Sequence, residues 1–125
     1  MVLSIGTDIV DVKRVEKAIK RRGERFGRKI LCPDELTEWQ KRKCSPAFLA
    51  KRFAAKEAIA KALGTGIANG VTFQNIEISN DAGGAPTATL NRSADQVMRN
   101  FGARKVLLSI SDERNYAVAF AVLSN

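Results

Sequence analysis

The stretch AFLAKRFAAKEAIAKAL, set between Ser45-Pro46 and Gly64, constrains this chain more than any other part of it. Alanine and long unbranched side chains are the strongest helix formers, and proline after serine marks a helix start. Glycine just past the last apolar turn marks its end. The spacing therefore predicts one long helix closed by Gly64. A chain of 125 residues has room for one domain with a single core. The rest of the sequence, residues 1–125 taken together, must wrap this helix.

The remaining segments supply the covering layer. VLSIGT reads as a short strand ending at Gly6 and Thr7, with Asp8 emerging at its end. Asp11 is placed to cap a helix running to Arg22, with Val12, Val15, Ala18 and Ile19 on one face and Gly23 as its stop. Phe26, Ile30 and Leu31 form a short apolar cluster. Pro33 opens a helix to Arg42, with Leu36 and Trp39 facing inward. Phe73 to Ser79 alternates as a strand, NDAGGAP is a turn, and Thr87 to Leu90 returns. Ser93 is the expected cap of a helix to Phe101. Two apolar strands, Lys105–Ser111 and Tyr116–Leu123, close the chain around the turn SDERN. Several helices with a late hairpin pairing to an early strand predict an α+β domain, a mostly antiparallel sheet packed on the long helix.

Composition removes several function classes. The hydrophobic share of 45% and charged share of 27% are those of a globular protein, and no apolar run is long enough to span a membrane. MVLSIGTDIV lacks the basic start of a signal peptide, so a cytoplasmic protein is expected. Cys32 and Cys44 make neither a zinc pattern nor a disulfide framework. With no histidine in the chain, chemistry must run on carboxylates, lysines, hydroxyls or a hard metal ion held by oxygen. The net charge of +8 is uneven: residues 1–56 hold 15 Lys+Arg against 7 Asp+Glu, whereas residues 57–125 hold 6 against 6. The densest stripe, Lys13 to Lys29, implies an anionic partner or a solvated helix face.

Two places stand out chemically. Asp8 follows a buried-looking strand; it either caps the next helix or faces a cleft. Glu57 and Lys61 are four residues apart on the long helix, with Phe53 a turn before them. They form either a surface pair or, among small alanines and before the glycines of GTG, one wall of a ligand site. The turn Asp81 to Pro86 is a third candidate: an ordinary hairpin turn, or a loop whose backbone N–H groups hold an anion.

GTDIVDVKRV (Gly6 to Val15) and FLAKRFAAKEAIAKALGTGI (Phe48 to Ile67) resemble the two strong motifs of the holo-acyl-carrier-protein synthase family, the small homotrimeric class of phosphopantetheinyl transferases. FQNIEI, a G-x-P turn at Gly84 to Pro86, and SISDERNYAVA extend the likeness over nearly the whole chain. The resemblance implies that Asp8 and Glu57 bind magnesium and that Lys61 contacts the phosphates of coenzyme A. It places Arg52, Gly64, Gly84 and Pro86 along the coenzyme site. Arg14, Arg22, Arg25, Phe26, Lys29 and Phe53 fall in the region that receives the carrier protein. It also implies a homotrimer with active sites at subunit interfaces. Two positions depart from the family pattern: Asp112 stands where many members carry histidine, and Ala85 where a basic residue is common.

The implied reaction is attack by a carrier-protein serine on the β-phosphorus of coenzyme A, with Asp8, Glu57 and Lys61 as the catalytic set. Magnesium typically takes one or two carboxylates and substrate phosphates, which matches the two carboxylates available. The basic stripe then steers an acidic acyl carrier protein. The rival reading is a small nucleic-acid-binding module using the same stripe. It predicts aromatics interleaved with the basic residues, yet only Phe26 lies among them, and it gives Asp8 and Glu57 no task. The expectation is therefore an enzyme that binds neither nucleic acid nor membrane.

Overall fold

The computed structural model describes residues 1–125. Its elements in order are β1 (Val2–Asp11), α1 (Val12–Arg22), α2 (Glu24–Ile30), α3 (Pro33–Lys41), α4 (Pro46–Ala62), a 3-10 turn (Phe73–Asn75), β2 (Ile76–Asn80), β3 (Pro86–Leu90), α5 (Arg92–Asn100), β4 (Lys105–Asp112) and β5 (Tyr116–Ser124). The long helix is α4. Ser45 caps it by accepting a hydrogen bond from the Phe48 amide, and Pro46 fills its first turn.

α4 is buried around most of its circumference, as expected of a helix with apolar residues on nearly every face. It lies against an antiparallel sheet of order β1-β5-β4. The inward positions of β5 are Ala117, Ala119, Ala121 and Leu123, and they meet Ala54, Ala55, Ala58 and Ala62 in the same core. Small residues on both surfaces let helix and sheet approach closely, and Gly6 does the same for β1. The Ser4 hydroxyl donates to the Ala62 carbonyl at 2.6 Å and pins β1 to the end of α4. β2 and β3 form a separate two-stranded ribbon. The α+β architecture, the long helix and the pairing of the late hairpin with the first strand are as the sequence predicts.

Local expectations needed four corrections. β1 runs on to Asp11, so Asp8 lies within a paired strand, opposite Ala119, and not at a strand end. Asp11 caps α1 as expected, its side chain accepting from the Lys13 amide. The apolar cluster around Phe26 is a helix, α2, made possible because Gly27 lies flat on the buried Trp39 ring. The segment from Phe73 begins as a 3-10 turn, and the strand starts at Ile76. The cap position of α5 is Asn91, with Ser93 already inside the helix.

Candidate active site

Side chains alternate along a strand, so Asp8 points to the same face as Gly6, the face that lies on α4. There Lys61 donates to Asp8 Oδ1 at 2.9 Å and to the Thr7 carbonyl at 3.0 Å. Lys61 thus reaches across to β1 instead of pairing along its own helix with Glu57. Asp8 is mostly buried, with a side chain 16% exposed, whereas Lys61 is half in solvent. Burial pushes the Glu57 carboxyl above the usual carboxylate range; the charge of Asp8 pushes the same way and Lys61 opposes both.

A carboxylate held beside a second one, as Glu57 is beside Asp8, favours a cation between them, and the Lys61 ammonium already sits against Asp8. No group of three or more acidic or sulfur ligands gathers anywhere in the fold. Asp8 and Glu57 therefore fit a hard divalent ion that takes most of its ligands from water and substrate, which is the habit of magnesium.

A cleft of about 300 Å³ opens beside this pair, lined by Asp8, Asp11, Arg14, Phe26, Phe53 and Glu57 among others. The fold so brings Arg14, Phe26 and Phe53 to the two carboxylates. Arg22 ends α1, and Arg25 and Lys29 lie on α2; all three are exposed and outside the cleft lining. Exposed Glu16–Lys20 and Glu24–Arg28 pairs offset part of the stripe's charge.

The remaining predicted residues assemble elsewhere. A larger cleft of about 800 Å³ is lined by Arg42, Phe48, Arg52, Gly84, Pro86 and Asp112, among others. The two clefts have no lining residue in common. Gly64 sits beyond the end of α4 at φ +82° and lines neither. The Asp81 turn is no anion site: Asp81 Oδ1 already accepts the amides of Gly83 at 2.9 Å and Ala85 at 3.0 Å.

Sequence reading missed Arg42, Phe48 and Glu35, which line the larger cleft, and Lys56 behind them. Arg42 lies over the Phe48 ring at 5.1 Å, and Arg52 lies over the same ring at 4.8 Å. Glu35 and Lys56 form a fully enclosed ion pair at 2.6 Å. A signal for it was present: Arg52 and Lys56 are in helical phase with Leu49, Ile59 and Leu63, so two cations occupy an otherwise apolar stripe.

Replacing Lys61 by alanine removes the one cation that bridges α4 and Asp8. Catalytic efficiency is expected to fall by at least ~10²-fold, the scale of losing one preorganised electrostatic donor. A loss below about fivefold, measured by steady-state transfer kinetics, would reduce Lys61 to a surface residue.

Comparison with known proteins gives the family. The sequence model of the 4'-phosphopantetheinyl transferase superfamily matches residues 4–121. A holo-[acyl-carrier-protein] synthase of Vibrio campbellii is 49% identical over 124 residues, covering 99% of this chain and 98% of the relative. One from Vibrio cholerae is 50% identical over 123 residues, covering 98% of each. Among solved structures, the holo-[acyl-carrier-protein] synthase of Neisseria meningitidis superposes with a TM-score of 0.92 at 43% identity and full coverage of both chains. The Helicobacter pylori enzyme in complex with coenzyme A gives 0.83 at 35% identity, covering 96% of this chain and 99% of that one. With the superfamily model matched over residues 4–121 and relatives of 43–50% identity matched along nearly the whole chain, this protein belongs to the holo-[acyl-carrier-protein] synthase family of the 4'-phosphopantetheinyl transferase superfamily.

Proposed function

We propose that the chain transfers the 4'-phosphopantetheine group of coenzyme A to a serine of apo acyl carrier protein and releases 3',5'-adenosine diphosphate. The observation that carries this reading is the meeting of Asp8, Glu57 and Lys61 at the junction of β1 and α4. In the reaction the serine oxygen bonds to the β-phosphorus as the bond to the departing diphosphate breaks. Asp8 and Glu57 would hold magnesium, which supplies charge neutralisation at the pyrophosphate. Lys61 offsets the charge left on the departing group. In a chain without histidine, Glu57 is the side chain assigned to accept the serine's proton.

The same reading takes the active enzyme to be a homotrimer, with each coenzyme between two copies. Two observations support it. The Asp8–Glu57 pair and the Arg52–Gly84–Pro86 wall lie in different clefts of one chain, which is consistent with a coenzyme that contacts two copies. The sheet's second face is also open: Ile5, Ile9, Leu107, Val118 and Phe120 are all exposed there. In register, Ile5–Val122–Leu107 and Ile9–Val118 form continuous apolar rows across the strands. An uncovered apolar sheet face of this kind is a protein-contact surface, and further copies of the chain are its assigned occupants. The family reading assigns the reaction to the cytoplasm. No helix is long and apolar enough to cross a membrane.

The direct test is to incubate the protein with apo carrier protein, coenzyme A and magnesium and to weigh the product. A gain of one phosphopantetheine is expected, and an unchanged mass in the presence of every component would overturn the reading. Charge reversal then probes docking. In Arg14→Glu/Arg25→Glu the Michaelis constant for carrier should rise steeply while that for coenzyme A barely moves. Added salt should mimic the change in the unaltered enzyme, because screening acts over about 8–10 Å. Unchanged carrier kinetics would remove α1 and α2 from the docking surface. Tight, steeply salt-dependent binding of oligonucleotides would favour a nucleic-acid module.

A further inference from the structure

Arg52 and Lys56 lie one turn apart on the buried stripe of α4, and one carboxylate, Glu35 of α3, faces both. Glu35 is held from several sides. Its Oε1 accepts the Cys32 amide at 2.7 Å and the Lys56 ammonium at 2.6 Å, and its Oε2 accepts the Ile78 amide at 3.1 Å. Lys56 is enclosed in turn, donating also to the carbonyls of Ile30 at 2.7 Å and Phe73 at 3.1 Å. Arg52 is treated differently. Its Nε stands 4.0 Å from Glu35 Oε2, too far for a hydrogen bond, its guanidinium lies over the Phe48 ring, and Arg42 and Glu38 are its other charged neighbours. This pairing leaves the guanidinium donors uncommitted on a residue that is only 9% exposed, in the wall of the larger cleft.

We propose that Glu35 is a positioning residue of the coenzyme cleft, holding the Arg52 guanidinium against Phe48 with its donors turned to the ligand. Lys56 is its balancing charge. Asp34, Glu38, Glu77 and Asp112 also line this cleft, so an uncompensated Glu35 would add to the charge that repels a phosphate ester; Lys56 cancels that addition while leaving Glu35 close enough to fix Arg52 electrostatically. The pair thus fixes a cation without consuming its hydrogen bonds. This rests on the reading of the larger cleft as the place where coenzyme A binds.

Removing one partner strands the other in the core, so Glu35→Gln alone is a poor probe. Glu35→Gln/Lys56→Met removes both charges and keeps side-chain volume. In the double variant the Michaelis constant for coenzyme A should rise ~10-fold, as for a loosened charge-assisted contact, while kcat and the carrier constant stay within about threefold. Arg52→Ala should raise the coenzyme constant strongly in the native background and add little in the double variant, since Arg52 is already unfixed there. A merely structural role would not produce that non-additivity. A coenzyme constant within twofold of native, full additivity of Arg52→Ala, or a double variant that does not fold would each overturn the proposal. If the unaltered protein makes no holo carrier, the reading of function fails instead; if it does and Arg52→Ala is harmless, only the present inference falls.

Discussion

Replacing either Asp8 or Glu57 with alanine is expected to abolish turnover and leave the fold standing. Neither side chain carries much of the stability. Asp8 pairs with a half-exposed Lys61, and such partly solvated pairs are worth about 0–1 kcal/mol. Glu57 lies at a cleft wall, where its burial already costs its charged form. The effect on catalysis should be far larger. With two protein carboxylates as the whole anionic donor set, either loss removes half of what would hold a divalent ion, and rates should drop by ~10²–10³-fold or more. The measurements are transfer rates across a magnesium titration, beside thermal melts of each variant. Raised magnesium should restore little, because the missing oxygen is not replaced by concentration alone. A variant that turns over near the native rate at ordinary magnesium would show that the carboxylate pair is misassigned.

What could be read from the sequence divides along a physical line. α4 was legible because its composition, its start and its stop all agree, and because local propensity and burial point the same way there. Asp11 as the cap of α1 was legible for the same local reason. The length of β1 was not, since residues 8–11 are held extended by pairing with Tyr116–Ala119, a partner more than a hundred residues away. The sequence reading therefore put Asp8 at a strand end, whereas it lies inside a paired strand. α2 is seven residues long and too short to be stable by itself; it exists because Gly27 seats on Trp39. The Glu57–Lys61 spacing suggested a pair, yet Lys61 finds Asp8, because a tertiary acceptor at the strand outcompetes a helix-surface one. Grouping Arg52, Gly84 and Pro86 with Asp8 and Glu57 came from the family likeness, and a single chain splits them between two clefts. Glu35 went unread because nothing near it in sequence announces that Lys56, 21 residues on, will be enclosed with it.

Gly6→Ala should show how tightly chemistry is tied to the packing of β1 on α4. A β-carbon at this position would lie 2.6 Å from the Ala62 amide nitrogen and would also press on the Ala58 carbonyl oxygen. Both are helix backbone, so no rotamer change can relieve the overlap and β1 must lift away. Overpacking of this kind costs typically 1–3 kcal/mol, and the unyielding neighbours put Gly6 at the upper end. At roughly 4 °C per kcal/mol the melting temperature should fall by about 10 °C or more. Asp8 is two residues further along the same face of the same strand, so the lift carries it away from Glu57 and Lys61. Misplacement by even ~1 Å can cost ~10²-fold in rate, so the surviving folded protein should be nearly inactive at temperatures well below its melt. Gly102→Ala is the matched control. Gly102 has φ +87° and only ordinary contact, with Leu3 Cδ1 at 3.9 Å, and it lines neither cleft. An alanine there carries the ~1–2 kcal/mol of a left-handed backbone but has no lever on Asp8. The expected result is lowered stability in both variants with activity lost only in Gly6→Ala. Equal specific activity of the two folded proteins would mean that the position of Asp8 is not set by how closely β1 lies on the helix.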